Sequence, residues 1–485
     1  MMLRTRVFMA ALPVAVAAAA SMAAERTDPP APMFPDAGAF GVVVHTPFRA
    51  QALRDVNVQW VRVNVRWGNV EKESRGNYDW AGADELLNYY LDNGFHVMCV
   101  LTMEDLCPLY EADKDDKDVV IGAAVRWCGA AAARYAGKGI LWELGNEPEA
   151  FPMGGYWNDP VTYTKMATQA ANAIKSSDAT AKVAALSTAW MDKGFIEKTL
   201  EEGLLAGKSI DVLTYHGYHR HTLLPESGLA EDVGWLRGRI AEYAPQGHHV
   251  IAADSERGYA IVPFLEKKSR DSWRNLVYCE SEQAAYCARH YLETIFLGVE
   301  IAVWYKDMRG ENDFSLYYGT EEDPRGLRPM GHVYRNLASL LPDNPTLLRN
   351  GRYEVTISSA PHGDVELQVR SYLQNRDGTE RLIAAAWNPL EAFDGRILDN
   401  RKRIRGDYYE AWRAVSEEDA VEVAASLHVN GLAQESVQSV QRFNLLSKTT
   451  DAAYEEAAWS AGQGGGIECP IAVSPMPSII VIRLK

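Results

Sequence analysis

The chain lacks any block of lysines and arginines. It carries 49 Lys+Arg against 65 Asp+Glu, a formal net charge of -16, and binding to nucleic acid or an anionic membrane needs clustered cations that neutralise phosphates. Those partners are excluded in favour of a neutral or weakly charged ligand. No glycine-rich phosphate loop follows the first β-rich run, as a dinucleotide-binding open sheet would require. No CxxC pair offers metal-ligand spacing, and no run after the N-terminal segment has the roughly 20 apolar residues that a membrane helix needs. There is no internal repeat, and "GQGGG" (462–466) reads as a flexible loop. With 47% hydrophobic and 24% charged residues, what is left is an ordinary globular chain long enough for two or three domains.

The N-terminus, "MMLRTRVFMAALPVAVAAAASMAAERTDPP", has Arg4 and Arg6, an Ala/Val-rich run and a small-residue site at Ser21-Met22-Ala23. This reads as a secretory signal peptide over residues 1–24 and predicts a secreted or periplasmic protein. The apolar run is short for a membrane anchor, and no cysteine follows it for lipid attachment. Six cysteines, at 99, 107, 128, 279, 287 and 469, allow 15 pairings in an exported chain. The pairs expected here are Cys107 with Cys128 and Cys279 with Cys287, leaving Cys99 a buried thiol in an apolar strand.

From about residue 39, short β-rich runs alternate with helical patterns. The runs are 39–45, 60–67, 96–102, 140–147, 182–190, 210–219, 249–256 and 300–307. Among the helical segments, Asp79 is a candidate N-cap with Gly94 as the stop, and another helix begins at Ser281 and ends at Gly298. This alternation predicts a (β/α)8 barrel over residues 25–345, with a doubly wound open sheet as the alternative. After the breaker-rich "PDNPTLLRNG" the pattern changes to short strands without long helices, which predicts an antiparallel β-sandwich over residues 346–485.

In such a barrel the chemistry gathers at the carboxyl ends of the strands. Those ends carry His45; Arg62, Asn64 and Arg66; Asn146 and Glu147; Trp190; His216, Tyr218 and His219; Asp254 and Glu256; Trp304 and Asp307. Buried polar groups are costly unless paired, so a crown this dense is poor structural padding. Glu147 and Glu256, at the ends of strands four and seven, suit retaining glycoside hydrolysis. In that reaction one carboxylic acid protonates the leaving oxygen while a carboxylate about 5 to 5.5 Å away attacks the anomeric carbon. The strand-two arginine would keep the nucleophile ionised.

"WELGNEPE" resembles the strand-four acid/base motif of the clan A glycoside hydrolases, close to the form in family 39-like and heparanase-like enzymes. "FGVVVH", the stretch from Val61 to Leu101 with its Gly-Asn-Tyr-Asp-Trp element, "YHGYH" and "AVWYKDMRG" resemble other strands of the same group. The resemblance spans about residues 39 to 340, and it implies Glu147 as acid/base and Glu256 as nucleophile. It further implies that Asn146 bonds the sugar 2-hydroxyl, that Arg62 and Tyr218 contact the nucleophile, that His45 and His216 line the subsite, and that Trp304 is the floor on which a sugar ring stacks. Arg257 beside the nucleophile and Lys306 on strand eight depart from the group's pattern. Arg257 would either reach an acidic sugar or point outward.

Other residues have plainer readings. Glu143 is expected to partner an interior arginine. Asp254 shares a strand face with Glu256 by period two and is the runner-up nucleophile. His216, His219 and His221 lack a second cluster to complete a zinc site, so no metal and no cofactor are expected. Trp67, Trp157 and Trp190 are sugar platforms or core. "EADKDDKD" (111–118) is a solvated loop that departs from a calcium-binding EF-hand loop. The function predicted is an exported retaining β-glycoside hydrolase acting on an oligo- or polysaccharide. The alternatives are a transglycosylase using the same glutamates and a non-catalytic carbohydrate-binding protein on a barrel scaffold.

Overall fold

Parallel strands β1 (Phe40–Val43), β2 (Trp60–Arg66), β3 (His96–Thr102), β4 (Leu141–Leu144), β5 (Lys182–Thr188), β6 (Val212–His216), β7 (Ile251–Arg257) and β8 (Ala302–Trp304) close into a barrel in the order β1-β8-β7-β6-β5-β4-β3-β2. The computed structural model describes residues 31–45, 49–150, 155–218, 224–226, 228–261, 276–277, 280–306, 314–319, 324–359, 367–376, 378–389, 422–462 and 465–485. The expected signal peptide, His219, His221, Cys279 and Asp307 lie outside them. Each strand falls on one of the predicted runs, with β7 reaching one residue further, and the open-sheet alternative is excluded by closure of β1 on β8.

A helix follows each strand: α1 (Ala50–Asp55), α2 (Ala81–Asp92), α3 (Lys117–Arg134), α4 (Pro160–Ser177), α5 (Lys193–Glu201), α6 (Leu229–Tyr243), α7 (Glu280–Phe296) and α8 (Pro329–Leu340). Their starts follow side-chain chemistry. Asp79 accepts the Ala81 N–H at 3.1 Å, Asp116 at the end of the acidic 111–118 stretch caps α3 through Val119 N–H, and Asp159 caps α4 ahead of Pro160.

Alternation along the strands sorts two layers. Val43, Trp60, Met98, Leu141, Ala184, Val212, Ala253, Ile301 and Val303 form a small apolar cluster inside the barrel. The intervening residues, such as Val61, Val63, Val97, Cys99 and Leu213, pack outward against the helices in the main core. Two residues further along the same inner faces stand Arg62, Glu143 and Thr214, with His216 beyond, so an apolar plug carries a polar layer at the carboxyl end of the barrel.

The C-terminal strands are β9 (Glu354–Ser359), β10 (Gln368–Arg376), β11 (Thr379–Trp387), β12 (Val423–Asn430), β13 (Val437–Phe443), β14 (Tyr454–Glu456), β15 (Ser460–Ala461), β16 (Ile467–Val473) and β17 (Ser478–Leu484). They form antiparallel sheets ordered β9-β12-β16-β15 and β10-β11-β17-β13-β14. The second sheet is covered on both faces. Leu382, Ala384 and Ile482 face the other sheet, while Ile383, Ala385, Trp387 and Val481 join the barrel core. Burial on two sides explains why "LIAAAW" and "IIVI" are continuous apolar runs. The docking is finished by Arg370, whose guanidinium forks onto Glu293 of α7 at 2.7 and 2.8 Å, and by Tyr372, whose hydroxyl donates to the Leu292 carbonyl at 2.6 Å.

The expected disulfides are corrected by this packing. Cys99, Cys107, Cys128, Cys287 and Cys469 are all free and buried. Cys107 instead donates to the Glu71 carbonyl at 3.4 Å, and Cys128 lies within the α3 layer beside Cys99. Burial raises the thiol pKa of Cys99, Cys107 and Cys128.

Candidate active site

Arg62 organises the polar layer. It is fully buried on β2, and its guanidinium donates to Glu143 at 2.7 Å, Glu256 at 2.8 Å, Asn146 Oδ1 at 2.7 Å and Ser187 Oγ at 3.1 Å. Burial opposes the guanidinium charge, but Glu143, Glu256 and Glu147 outweigh it and the pKa is raised. Burial likewise opposes the Glu143 carboxylate, yet Arg62 and then His216 hold its pKa below the ordinary value. Glu143 is thus the interior partner that the sequence predicts.

Glu147 lies three residues beyond β4 on a turn that passes through positive φ at Gly145 (82°) and at Glu147 itself (49°). A non-glycine residue in that region costs on the order of 1–3 kcal/mol and is retained where its surroundings over-determine it. Those surroundings are visible: Glu147 N–H donates to the Ser187 carbonyl at 2.8 Å, and Asn146 N–H donates to the Glu104 carboxylate. His216 Nδ1 meets Glu147 Oε1 at 2.9 Å, while its Nε2 meets Ser187 Oγ at 2.9 Å. Burial opposes a charged ring, but Glu256 and Glu147 prevail, so the His216 pKa is raised. Glu147 Oε2 is buried and has no hydrogen-bond partner among the described residues. Nearby, burial pushes the carboxyl pKa of Glu104 up to about 7 and that of Glu149 up to about 8.

Glu256 has both oxygens held, Oε2 by Arg62 and Oε1 by the Tyr218 hydroxyl at 3.2 Å. Regular period-two alternation would put Asp254 on the face of Glu256, and the structure corrects this. The ladders to β6 and β8 both shift register here: Tyr215 pairs with Asp254 but His216 with Glu256, and Ala302 pairs with Asp254 but Trp304 with Arg257. This bulge turns Glu256 into the mouth. Asp254 instead faces α7, with His290 Nε2 at 3.5 Å. Arg257 takes the outward option. It is fully buried and donates to the Tyr259 hydroxyl at 2.5 Å and the Pro225 carbonyl at 3.4 Å.

Trp304 is not brought to the mouth. Ile301 and Val303 lie in the interior cluster and Tyr305 packs against it, so the alternation sends Ala302 and Trp304 outward into the helix layer. Trp304 is fully buried there, donating to the Phe314 carbonyl at 3.1 Å. Tyr305, the next residue, packs against the inner cluster instead and stands edge-on to His45 with centroids 6.1 Å apart. Trp67 and Trp157 are core residues bonded to Glu71 and to the Met103 carbonyl, whereas Trp190 is half-buried. Sequence reasoning therefore missed Tyr305, Ser187 and Glu104. Only Tyr305 carried a signal, its two-residue offset from Val303.

A carboxylate oxygen of Glu147, one of Glu256 and a ring nitrogen of His216 all lie within 4.8 Å of one another. Such a trio has the donors for a metal ion, yet both His216 nitrogens are engaged inside the protein and the Arg62 guanidinium already supplies positive charge at Glu256. The arrangement places a carboxyl group with one oxygen lacking a hydrogen-bond partner among the described residues close to one whose two oxygens are both held.

A family model for cellulase (glycosyl hydrolase family 5) matches residues 47–222, a span that includes Arg62, Asn146, Glu147, His216 and Tyr218 and stops short of Glu256. Arabidopsis thaliana chloroplastic β-amylase 1 is 31% identical over 88 residues, which cover 16% of this chain and 15% of that protein. Among solved structures, a family 39 glycoside hydrolase from Bacteroides cellulosilyticus WH2 superposes with a TM-score of 0.59 at 16% identity, covering 91% of this chain and 80% of that one. A monomeric β-xylosidase from Caulobacter crescentus CB15 superposes with a TM-score of 0.55 at 16% identity, over 93% and 98%. A family 51 α-L-arabinofuranosidase from Bifidobacterium longum does so with 0.54 at 13% identity, over 93% and 98%. The structural matches establish the fold, a barrel with an appended β-sandwich, and together with the family model they bear out the resemblance to clan A glycoside hydrolases that the strand motifs carry.

Proposed function

We propose that the protein is a retaining glycoside hydrolase of β-linked glycans, with Glu147 as acid/base and Glu256 as nucleophile. The observation that carries this reading is the approach of the two carboxyl groups, with oxygens within 4.8 Å of each other. That matches the roughly 5 to 5.5 Å of retaining enzymes rather than the roughly 6.5 to 9.5 Å that leaves room for a water in inverting ones.

Glu147 delivers a proton to the glycosidic oxygen as the bond to the anomeric carbon breaks. Glu256 forms an ester to that carbon, with Arg62 and Tyr218 holding its orientation. Glu147 then takes a proton from the water that cleaves the ester. Asn146, with Oδ1 tied to Arg62, is left with its amide nitrogen to donate to a sugar hydroxyl. The N-terminal segment supports export to the periplasm or the medium, and an oligo- or polysaccharide is the substrate class.

The test is a panel of aryl glycosides and polysaccharides, begun with an aryl β-xyloside and an aryl α-L-arabinofuranoside after the names of the structural relatives. Wild type, Glu147→Gln and Glu256→Gln are compared, and the anomer first released is read by NMR. Cleavage with retention that both substitutions abolish is the expected result. Glycan binding without cleavage by the wild type would replace this reading with that of a binding protein.

A further inference from the structure

Asp254 is the buried carboxyl group nearest in sequence to the nucleophile that the proposed chemistry leaves unused. It has no solvent exposure. Its Oδ1 accepts the Gly217 N–H at 3.0 Å, and its carboxylate is also within the hydrogen-bonding influence of the Glu256 N–H. Gly217 stands between His216, which contacts Glu147, and Tyr218, which donates to Glu256. A Cβ at Gly217 would come within 2.4 Å of Asp254 Oδ2, so the backbone of the β6 end is seated directly on this side chain. Gly217 N–H also donates to the Glu256 carbonyl at 2.9 Å, which locks the end of β6 to the bulge of β7 at the point where the register shifts.

We infer that Asp254 is a positioning residue that clamps the end of β6 to the β7 bulge, and through that clamp sets the geometry of Tyr218 and Glu256. The inference rests on the reading of Glu256 as nucleophile. The groups facing Asp254 are Arg257 on its own strand, Tyr215 and His216 from β6, and His290 and Tyr291 from α7. Burial pushes its pKa up to about 7, so the charge on the clamp changes around neutrality. A negative charge there favours protonated His216, and removing it lowers the pKa of that ring.

The experiment uses the full chain with Asp254→Ala and Asp254→Asn. Amide hydrogen exchange is followed over residues 212–218 and 251–257, with α2 as the distant control, and kcat, KM and the pH profile are measured on whichever aryl glycoside the wild type cleaves. Expected for Asp254→Ala are faster exchange in those two segments alone and a kcat lower by roughly 10²-fold with KM nearly unchanged, the scale of loss that small misplacements of reacting groups produce. Asp254→Asn keeps an acceptor for Gly217 but a weaker one. Its exchange should be intermediate, its kcat less affected, and, because His216 Nδ1 contacts the acid/base carboxyl of Glu147, its alkaline limb shifted to lower pH. Wild-type exchange in both segments for the variants that fold overturns the clamp, and an unmoved alkaline limb in Asp254→Asn overturns its electrostatic part. If the wild type cleaves no glycoside, the functional reading fails, while the exchange data still judge the clamp.

Discussion

The ends of β4 and β7 bring a glutamate to the same mouth by different backbone devices. Glu147 stands on a turn past the end of its strand, in a left-handed conformation fixed by Ser187 and by Glu104 through Asn146. Glu256 stays within its strand and is turned inward by a register shift shared with both neighbouring ladders. One oxygen of Glu147 is buried without a hydrogen-bond partner among the described residues, whereas both of Glu256 are held. The difference fits the division of labour proposed for the two residues. An acid/base group must exchange its proton with successive partners, whereas a nucleophile must present one oxygen along one line.

The comparison can be broken most severely by removing either carboxyl group. Glu256→Gln should leave no turnover, and Glu147→Gln should lower kcat by roughly 10²–10⁴-fold, with activated aryl glycosides least affected because their leaving groups need less protonation. Arg62→Met removes the cation shared by Glu143 and Glu256. Breaking a buried pair in this way should cost about 3–5 kcal/mol, read as a lower urea midpoint, and activity should fall with it. Tyr218→Phe frees one oxygen of the nucleophile. Losing a hydrogen bond to a charged group, about 1.5–3 kcal/mol, should lower kcat by roughly 10- to 10²-fold with little change in melting temperature.

A subtler test uses pH. The His216 pKa is raised in the folded state, so its contribution to stability is fully present below the unfolded value of about 6.5 and is lost as pH rises through the folded value. The stability gap between wild type and His216→Gln should therefore narrow on the alkaline side, as measured by thermal melts across pH. The smallest effect concerns the thiols. The five cysteines of the described residues are all free, so a reductant should leave the melting temperature unchanged.

The eight barrel strands, the appended sandwich and the Glu147, Glu256, Arg62, Tyr218 and His216 constellation were legible in the residues, because apolar runs, turn residues and strand-end polar groups are local signals. Strand β16 was not. It contains Pro470, which argues against a strand; the proline is tolerated where β15 no longer pairs alongside, since β15 meets only Glu468 and Ile467. The Cys107–Cys128 bridge is absent because an oxidising compartment would permit bridges without bringing those two thiols together.

The facing of side chains at the mouth depended on the backbone beyond the strands. Period two is local and holds until a bulge or a left-handed turn interrupts it. The alternation would have identified Tyr305 rather than Trp304, because β8 is regular there. It could not have separated Asp254 from Glu256, since that bulge exists only through pairing with β6 and β8. Residue order thus carried the elements and the chemical types at their ends. Which of those groups meet, and which turn away into the helix layer, followed from ladder register and barrel closure, long-range pairings that no short stretch of sequence encodes.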